Sequence, residues 1–154
     1  MEQSIESHTL VIPIRDQQIL LGMKKRGLGK GRWNGFGGKV EQGESFEQAA
    51  LRELREEVGL VADKLLLMAE LYFFNEDVSR NLHAYVFTTD IFSGTPVETE
   101  EMNPKWFSFQ EIPFSRMWPD DQLWLPSVLE GKKVHGKFTL RDFYTISDYT
   151  INEL

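Results

Sequence analysis

Cysteine is absent from this 154-residue chain, which excludes disulfides and thiolate metal sites and fits a reducing compartment, so a cytoplasmic protein is expected. Long apolar runs are absent too: none approaches the roughly 20 residues that span a bilayer, so no membrane partner is expected. The start, MEQSIESHTL, lacks a basic segment followed by an apolar one, and no secretory leader is read there. Repeats, low-complexity stretches and long linkers are missing, which points to residues 1–154 as a single domain with its own core, expected to act as a monomer. Positive charge is scarce: 17 Lys and Arg stand against 24 Asp and Glu, for a net charge of −7. That balance disfavours a broad basic surface for a nucleic-acid polymer, and a small anionic ligand would have to be held locally.

What is abundant is glutamate in one place. From Ser45 to Val58 there is no Pro or Gly, and Phe46, Ala50, Leu54 and Val58 recur every fourth residue, the pattern of an amphipathic helix. Ser45 suits the N-cap and Gly59 the C-terminal stop. On that helix Glu53, Glu56 and Glu57 stand at i, i+3 and i+4, within an arc of roughly 100°. Carboxylates so placed repel one another unless a cation sits among them, and oxygen-only ligation suits Mg²⁺, with Mn²⁺ as a substitute. The competing reading is a solvated face with an ordinary Arg52–Glu56 pair. Gly35, Gly37, Gly38 and Gly43 precede the helix, and a glycine-rich loop lets backbone approach a ligand closely, which favours a metal platform for phosphates. The densest basic stretch, Lys24, Lys25, Arg26, Lys30 and Arg32, falls just before that loop.

The expected order is strand 9–14, a turn at Asp16, strand 17–24, the glycine-rich loop, helix 45–58, then strands 65–74 and 82–90. A strand at 105–109, a helix within 120–130 and strands at 134–142 and 146–151 follow. Strands mixed with two helices make this an α/β chain, read as a sandwich. Near the second helix lies Trp118-Pro119-Asp120-Asp121. A base can stack on Trp118, and two crowded aspartates sharing a proton offer both a donor and an acceptor to a purine edge. The same residues also read as a helix start, with the acids at the positive end of its dipole.

The string Gly38-x5-Glu44-x7-Arg52-Glu53-Leu54-x-Glu56-Glu57-x-Gly59-Leu60 resembles the signature of the Nudix hydrolases. The resemblance implies an α/β/α sandwich with a mixed sheet, and metal-dependent hydrolysis of a nucleoside diphosphate linked to another moiety. It places Glu53, Glu56, Glu57 and a Gly37 carbonyl at the metal, leaves the general base open among the glutamates, and has Arg52 orient them while Glu44 supports the loop. Further stretches, Leu21 to Gly27, Gly31 to Val40, Glu101-Met102 and Trp118 to Asp121, are similar to those Nudix enzymes that hydrolyse oxidised purine nucleoside triphosphates such as 8-oxo-dGTP and 2-hydroxy-dATP. That similarity implies substrate contacts from Thr9, Lys24, Asn34, Phe36, Gly37, Gly38, Lys39, Phe73, Met102, Trp118, Asp120, Asp121 and Trp124, with Glu101 joining the metal. Asn34 reads equally as a turn residue before Gly35. His8, Leu28 and the 75–82 stretch depart from the pattern at the pocket rim. Another diphosphate, such as a dinucleoside polyphosphate or a nucleotide sugar, or a non-catalytic nucleotide-binding module, stands as the alternative.

Overall fold

In the computed structural model, residues 5–76, 80–142 and 144–154 are described. Expectations for residues 1–4, and for 77–79 within the 75–82 stretch, lie outside them. The elements are β1 (Ile5–Arg15), β2 (Gln18–Lys24), β3 (Trp33–Asn34), β4 (Phe36–Lys39), α1 (Phe46–Val58), β5 (Val61–Ala62), β6 (Leu66–Asn75), β7 (Asn81–Thr89), β8 (Phe92–Ser93) and β9 (Met102–Ser108). A 3₁₀ turn at Phe114–Arg116, α2 (Asp121–Leu129), β10 (Val134–Asp142) and β11 (Thr145–Glu153) complete the chain.

The hairpin expected at Asp16 forms because Asp16 and Gln17 both take positive φ, 53° and 59°, the backbone of a two-residue turn whose twist matches its strands. The main sheet runs β11-β10-β6-β7-β1-β2-β3, with β4 also paired to β1 and β9 to β2. It is mixed: β1 lies parallel to β7 and β6 parallel to β10, while the other pairs are antiparallel. β1 begins at Ile5 rather than Thr9, because its first half is held by β7 on one side and β4 on the other.

One expectation is corrected. The glycine-rich segment is not all loop, since β3 pairs with β2 and β4 lies antiparallel to His8–Val11. Gly37 and Gly38 do not have positive φ, and they are glycine for space. A Cβ on Gly37 would sit 1.7 Å from Thr9 O, and one on Gly38 would sit 2.6 Å from Glu53 Oε1. The close approach they permit is to the chain itself.

Alternation along β1 and β2 sends side chains to two cores. Val11, Leu20, Phe36 and Phe87 meet Ala50, Leu54 and Val58 of α1, while Ile12, Leu21, Leu71 and Phe138 meet Trp124, Leu125 and Val128 of α2. The fourth-residue stripe of α1 is thus its buried face, and Phe46 extends it by stacking on Tyr85 at 3.7 Å. The caps also follow the sequence: Ser45 and Gln48 form a reciprocal capping box and Gly59 closes the helix at φ 78°. Among the described residues no helix is long and apolar enough to cross a membrane.

Candidate active site

Packing α1 against β4 brings the glutamates of the helix beside Gly37 and Gly38. Arg52 organises this junction. Its Nε and Nη2 donate to both oxygens of Glu44, at 2.8 and 3.0 Å, its Nη1 reaches Glu53 Oε1 at 2.8 Å, and its Nη2 reaches the carbonyl of Lys39 at 3.2 Å. The fork matches a planar carboxylate and spans helix and strand, which a lysine could not do. Arg52, and then the Glu41 backbone N–H, hold the Glu44 carboxyl down at about 2. Glu44 is therefore a fixed anchor for the segment entering α1.

Glu57 is in the opposite state. It is 9% exposed, accepts the Gly37 N–H at 2.7 Å, and is pushed up to about 8, first by burial and then by the charge of Glu53. Burial also raises Glu53, against the pull of Arg52. Two mutually repelling, desolvated carboxylates beside a strand of glycines carry their charge comfortably only with a cation between them. The donor set thus fits a hard divalent ion. Glu56 is exposed and turns to Arg52 Nη1 at 3.4 Å, while Glu101 bonds Arg26, which holds its carboxyl below the usual range. Among the described residues no three Asp, Glu, His or Cys side chains are gathered as a metal-holding set. Gly37 faces this site through its N–H bond to Glu57.

From Glu57 a cavity of about 360 Å³ runs between β1, β6, β7 and the start of α2. Lys24, Thr9, Gly37 and Gly38 line the end near Glu57, and Lys24 pulls the Glu57 carboxyl down against its burial. Asp120 and Asp121 line it elsewhere, both buried, with Trp118, Trp124, Phe73, Met102 and Asn34. Trp124 Nε1 donates to Asp120 Oδ2 at 2.8 Å and the Trp118 N–H donates to Asp121 Oδ2 at 3.2 Å. Burial raises both acids, and Asp121 more, because the charge of Asp120 adds to it. The pair therefore favours holding a proton. The helix-start reading is true of position, since α2 begins at Asp121, yet Asp120 makes no side-chain cap bond. Asn34, in β3, lines the cavity, and its Oδ1 accepts the Gly35 N–H at 2.9 Å, so Nδ2 is its donor.

Not every residue singled out in the sequence lies here. Phe36 is fully buried in the core beneath α1, and Lys39 is exposed with its ammonium 3.4 Å from Glu6. Neither lines the cavity, because alternation along β4 turns Phe36 into the core and Lys39 sits at the strand's exposed end. The basic stretch disperses as well: Lys25 goes to Glu98, Arg26 to Glu101, and Lys24 and Arg32 alone reach the cavity. The sequence reading missed Tyr144, whose ring stacks on Trp118 at 5.5 Å, with the Arg32 guanidinium 5.3 and 4.8 Å from the two rings. No periodicity signals it, since it comes from the β10–β11 turn. Asn75, read in the sequence only as part of a stretch departing from the pattern at the pocket rim, lines the cavity itself, a polar residue following Leu71 and Phe73 on an apolar strand face.

The NUDIX domain family matches residues 6–128. The oxidized purine nucleoside triphosphate hydrolase of Mus musculus is 46% identical over 147 residues, covering 96% of this chain and 94% of that protein. Its namesake in Danio rerio is 44% identical over 146 residues, covering 95% and 94%. Among solved structures, the MutT protein of Bacillus halodurans superposes with a TM-score of 0.85 at 24% identity, covering 96% of this chain and 97% of that one, a likeness of fold.

Proposed function

Because the chain belongs to the NUDIX domain family, whose hydrolases generally use divalent cations, we propose that it hydrolyses oxidised purine nucleoside triphosphates to the monophosphate and pyrophosphate, with 8-oxo-dGTP and 2-hydroxy-dATP as substrates. One observation carries this beyond family membership: two adjacent buried carboxyls, Asp120 and Asp121, in the same cavity as Glu57, with burial favouring their protonated form.

The oxidised base stacks on Trp118. Asn34 Nδ2 and the protonated member of the aspartate pair donate to its edge, and the other aspartate oxygens accept from it. A purine with an added keto or hydroxy group changes its pattern of donors and acceptors, which a pair able to present either can match. Lys24 and the backbone of Gly37 and Gly38 meet the phosphates. Glu53 and Glu57 would hold the cation, proposed to be Mg²⁺ with Mn²⁺ as a substitute, and Glu56 and Glu101 would join them on release from their arginines. When bound, such an ion neutralises phosphate charge and lowers the pKa of an attacking water. Water adds to one phosphorus of the α–β linkage, the bridging oxygen leaves with the bonding electrons, and the water's proton passes to a carboxylate. The acceptor is one of Glu53, Glu56 and Glu57, and Glu57, which lines the cavity, is the first to test by substitution. Arg52 keeps Glu53 and the entry to α1 in register throughout. The lack of cysteine supports a cytoplasmic location, and the absence of linkers and repeats supports a single domain, proposed to act as a monomer.

The test is Mg²⁺-dependent pyrophosphate release from 8-oxo-dGTP and dGTP, side by side at low micromolar substrate. A large preference for the oxidised nucleotide is expected. Equal, slow release from both would return Asp120 and Asp121 to a structural role and direct attention to other diphosphates.

A further inference from the structure

Three buried side-chain atoms lack a hydrogen-bond partner among the described residues, namely His8 Nε2, Thr9 Oγ1 and Asn75 Oδ1, and all three residues line the same cavity. His8 Nε2 stands 3.5 Å from Glu6 Oε2, at the edge of an interaction, and burial keeps its ring neutral, so it carries little weight. Thr9 already belongs to the substrate set. Asn75 has no role yet.

Asn75 ends β6 on the face that carries Leu71 and Phe73, opposite Leu140 of β10, and is 4% exposed. Its orientation is fixed. Nδ2 donates to the Arg80 carbonyl at 2.7 Å, and the backbone N–H donates to Asn81 Oδ1 at 3.2 Å. Flipping the amide would set two carbonyl oxygens against each other, so Oδ1 is the atom left without a donor. A buried acceptor in that state is unfavourable unless something entering the cavity supplies an N–H or O–H. Phe73, Leu82, Ala84 and Leu140 beside it are apolar, and Arg80, which also lines the cavity, turns its Nε to Glu6 at 2.9 Å, so no described side chain supplies the donor and a ligand can.

We propose that Asn75 Oδ1 is a specificity-determining acceptor for a hydrogen-bond donor on the nucleoside, either a sugar hydroxyl or the exocyclic amine of the purine. The inference rests on the functional reading above and deepens it. A buried acceptor beside apolar side chains rejects a nucleotide that cannot satisfy it, since binding such a ligand seals the oxygen away from water.

The experiment pairs a change in the ligand with a change in the residue. Values of kcat/KM are measured for 8-oxo-dGTP against 8-oxo-GTP, against its 3′-deoxy analogue and against 8-oxo-dITP, which report the 2′-hydroxyl, the 3′-hydroxyl and the 2-amine. Each ratio is taken in wild type, Asn75→Leu, Asn75→Ala and Asn75→Asp. Ratios within one variant do not depend on how much of it is folded, and the alanine variant serves if leucine is not accommodated. The expected result is one ratio of roughly tenfold in wild type that collapses toward one in Asn75→Leu and Asn75→Ala. It is retained in Asn75→Asp, which keeps the acceptor and, protonated, the donor to Arg80 O. The pair of substrates that responds identifies the donor. Three ratios unchanged in the leucine and alanine variants would overturn the inference alone. No turnover of 8-oxo-dGTP by wild type would overturn the functional reading and this inference together.

Discussion

Removing the charge of Glu57 tests whether its burial, rather than its neighbours on the helix, governs the site. The folded protein holds the Glu57 proton up to about pH 8 against a usual 4.5, so a proton is bound more tightly in the folded state than in the unfolded one. The stability this provides is fully present below about pH 4.5 and is lost as pH rises toward 8, after which the loss is complete. At about 1.4 kcal/mol for each pH unit, the interval corresponds to about 5 kcal/mol, and water penetration into a site open to the cavity reduces this to the order of 2–5 kcal/mol. Glu53, Asp120 and Asp121 are raised as well and tilt stability in the same direction. The difference between wild type and Glu57→Gln isolates the one residue. Urea unfolding followed by circular dichroism, with chelator present, is expected to show wild-type stability falling between pH 5 and pH 8. Glu57→Gln is expected to fall less steeply and to be the more stable of the two at pH 8. Millimolar Mg²⁺ flattens the wild-type curve, because the ion replaces the proton. A difference between the two proteins that stays constant from pH 5 to pH 8 would refute the account.

Turnover should move the other way: Glu57→Gln is expected to lose on the order of 10²–10⁴-fold in kcat on 8-oxo-dGTP, measured on protein whose circular dichroism matches wild type, and near wild-type kcat would remove Glu57 from the chemistry. Arg52→Lys keeps the charge but cannot grip Glu44 with two bonds while reaching Glu53 and the Lys39 carbonyl, so kcat should fall at least tenfold with a weaker Mg²⁺ dependence, and an unchanged Mg²⁺ titration would count against the hub. Gly37→Ala places a Cβ 1.7 Å from Thr9 O, which forces β4 away from β1 and should lower unfolding free energy by about 3 kcal/mol or more; a melting temperature equal to wild type would show the strands can part cheaply. Trp118→Ala should raise KM ten- to a hundredfold through loss of base stacking, with kcat altered less, and a change confined to kcat would separate Trp118 from the base.

Much of the helix-borne chemistry was legible in advance, for a physical reason. Ser45, Gln48, the fourth-residue apolar stripe and Gly59 specify α1 from contacts within about one helical turn, and a helix so fixed also fixes the spacing of Glu53, Glu56 and Glu57. Which of them faces the site was not legible. The arc places all three near one another, whereas packing against β4 buries Glu57, half-buries Glu53 and leaves Glu56 in solvent with Arg52. The glycines before the helix were visible as necessary, but the reason was not. Their small size accommodates Thr9 O and the Glu53 carboxylate, and both contacts come from elsewhere in the chain.

By itself the sequence determined the hairpin at Asp16, the span and caps of α1, the alternation that sends β1 residues to two faces, and the reaction class written in its glutamates. Those depend on neighbours a few residues apart, where local geometry and the hydrophobic period suffice. Tertiary structure alone decided the raised proton affinity of Glu57, the burial of the Asp120–Asp121 pair, the withdrawal of Phe36 and Lys39 from the cavity, the stacking of Tyr144 on Trp118 and the unpartnered oxygen of Asn75. Each of these depends on how much water is excluded and on which distant strand supplies or withholds a partner, and neither desolvation nor partnership across a sheet is encoded in spacing along the chain.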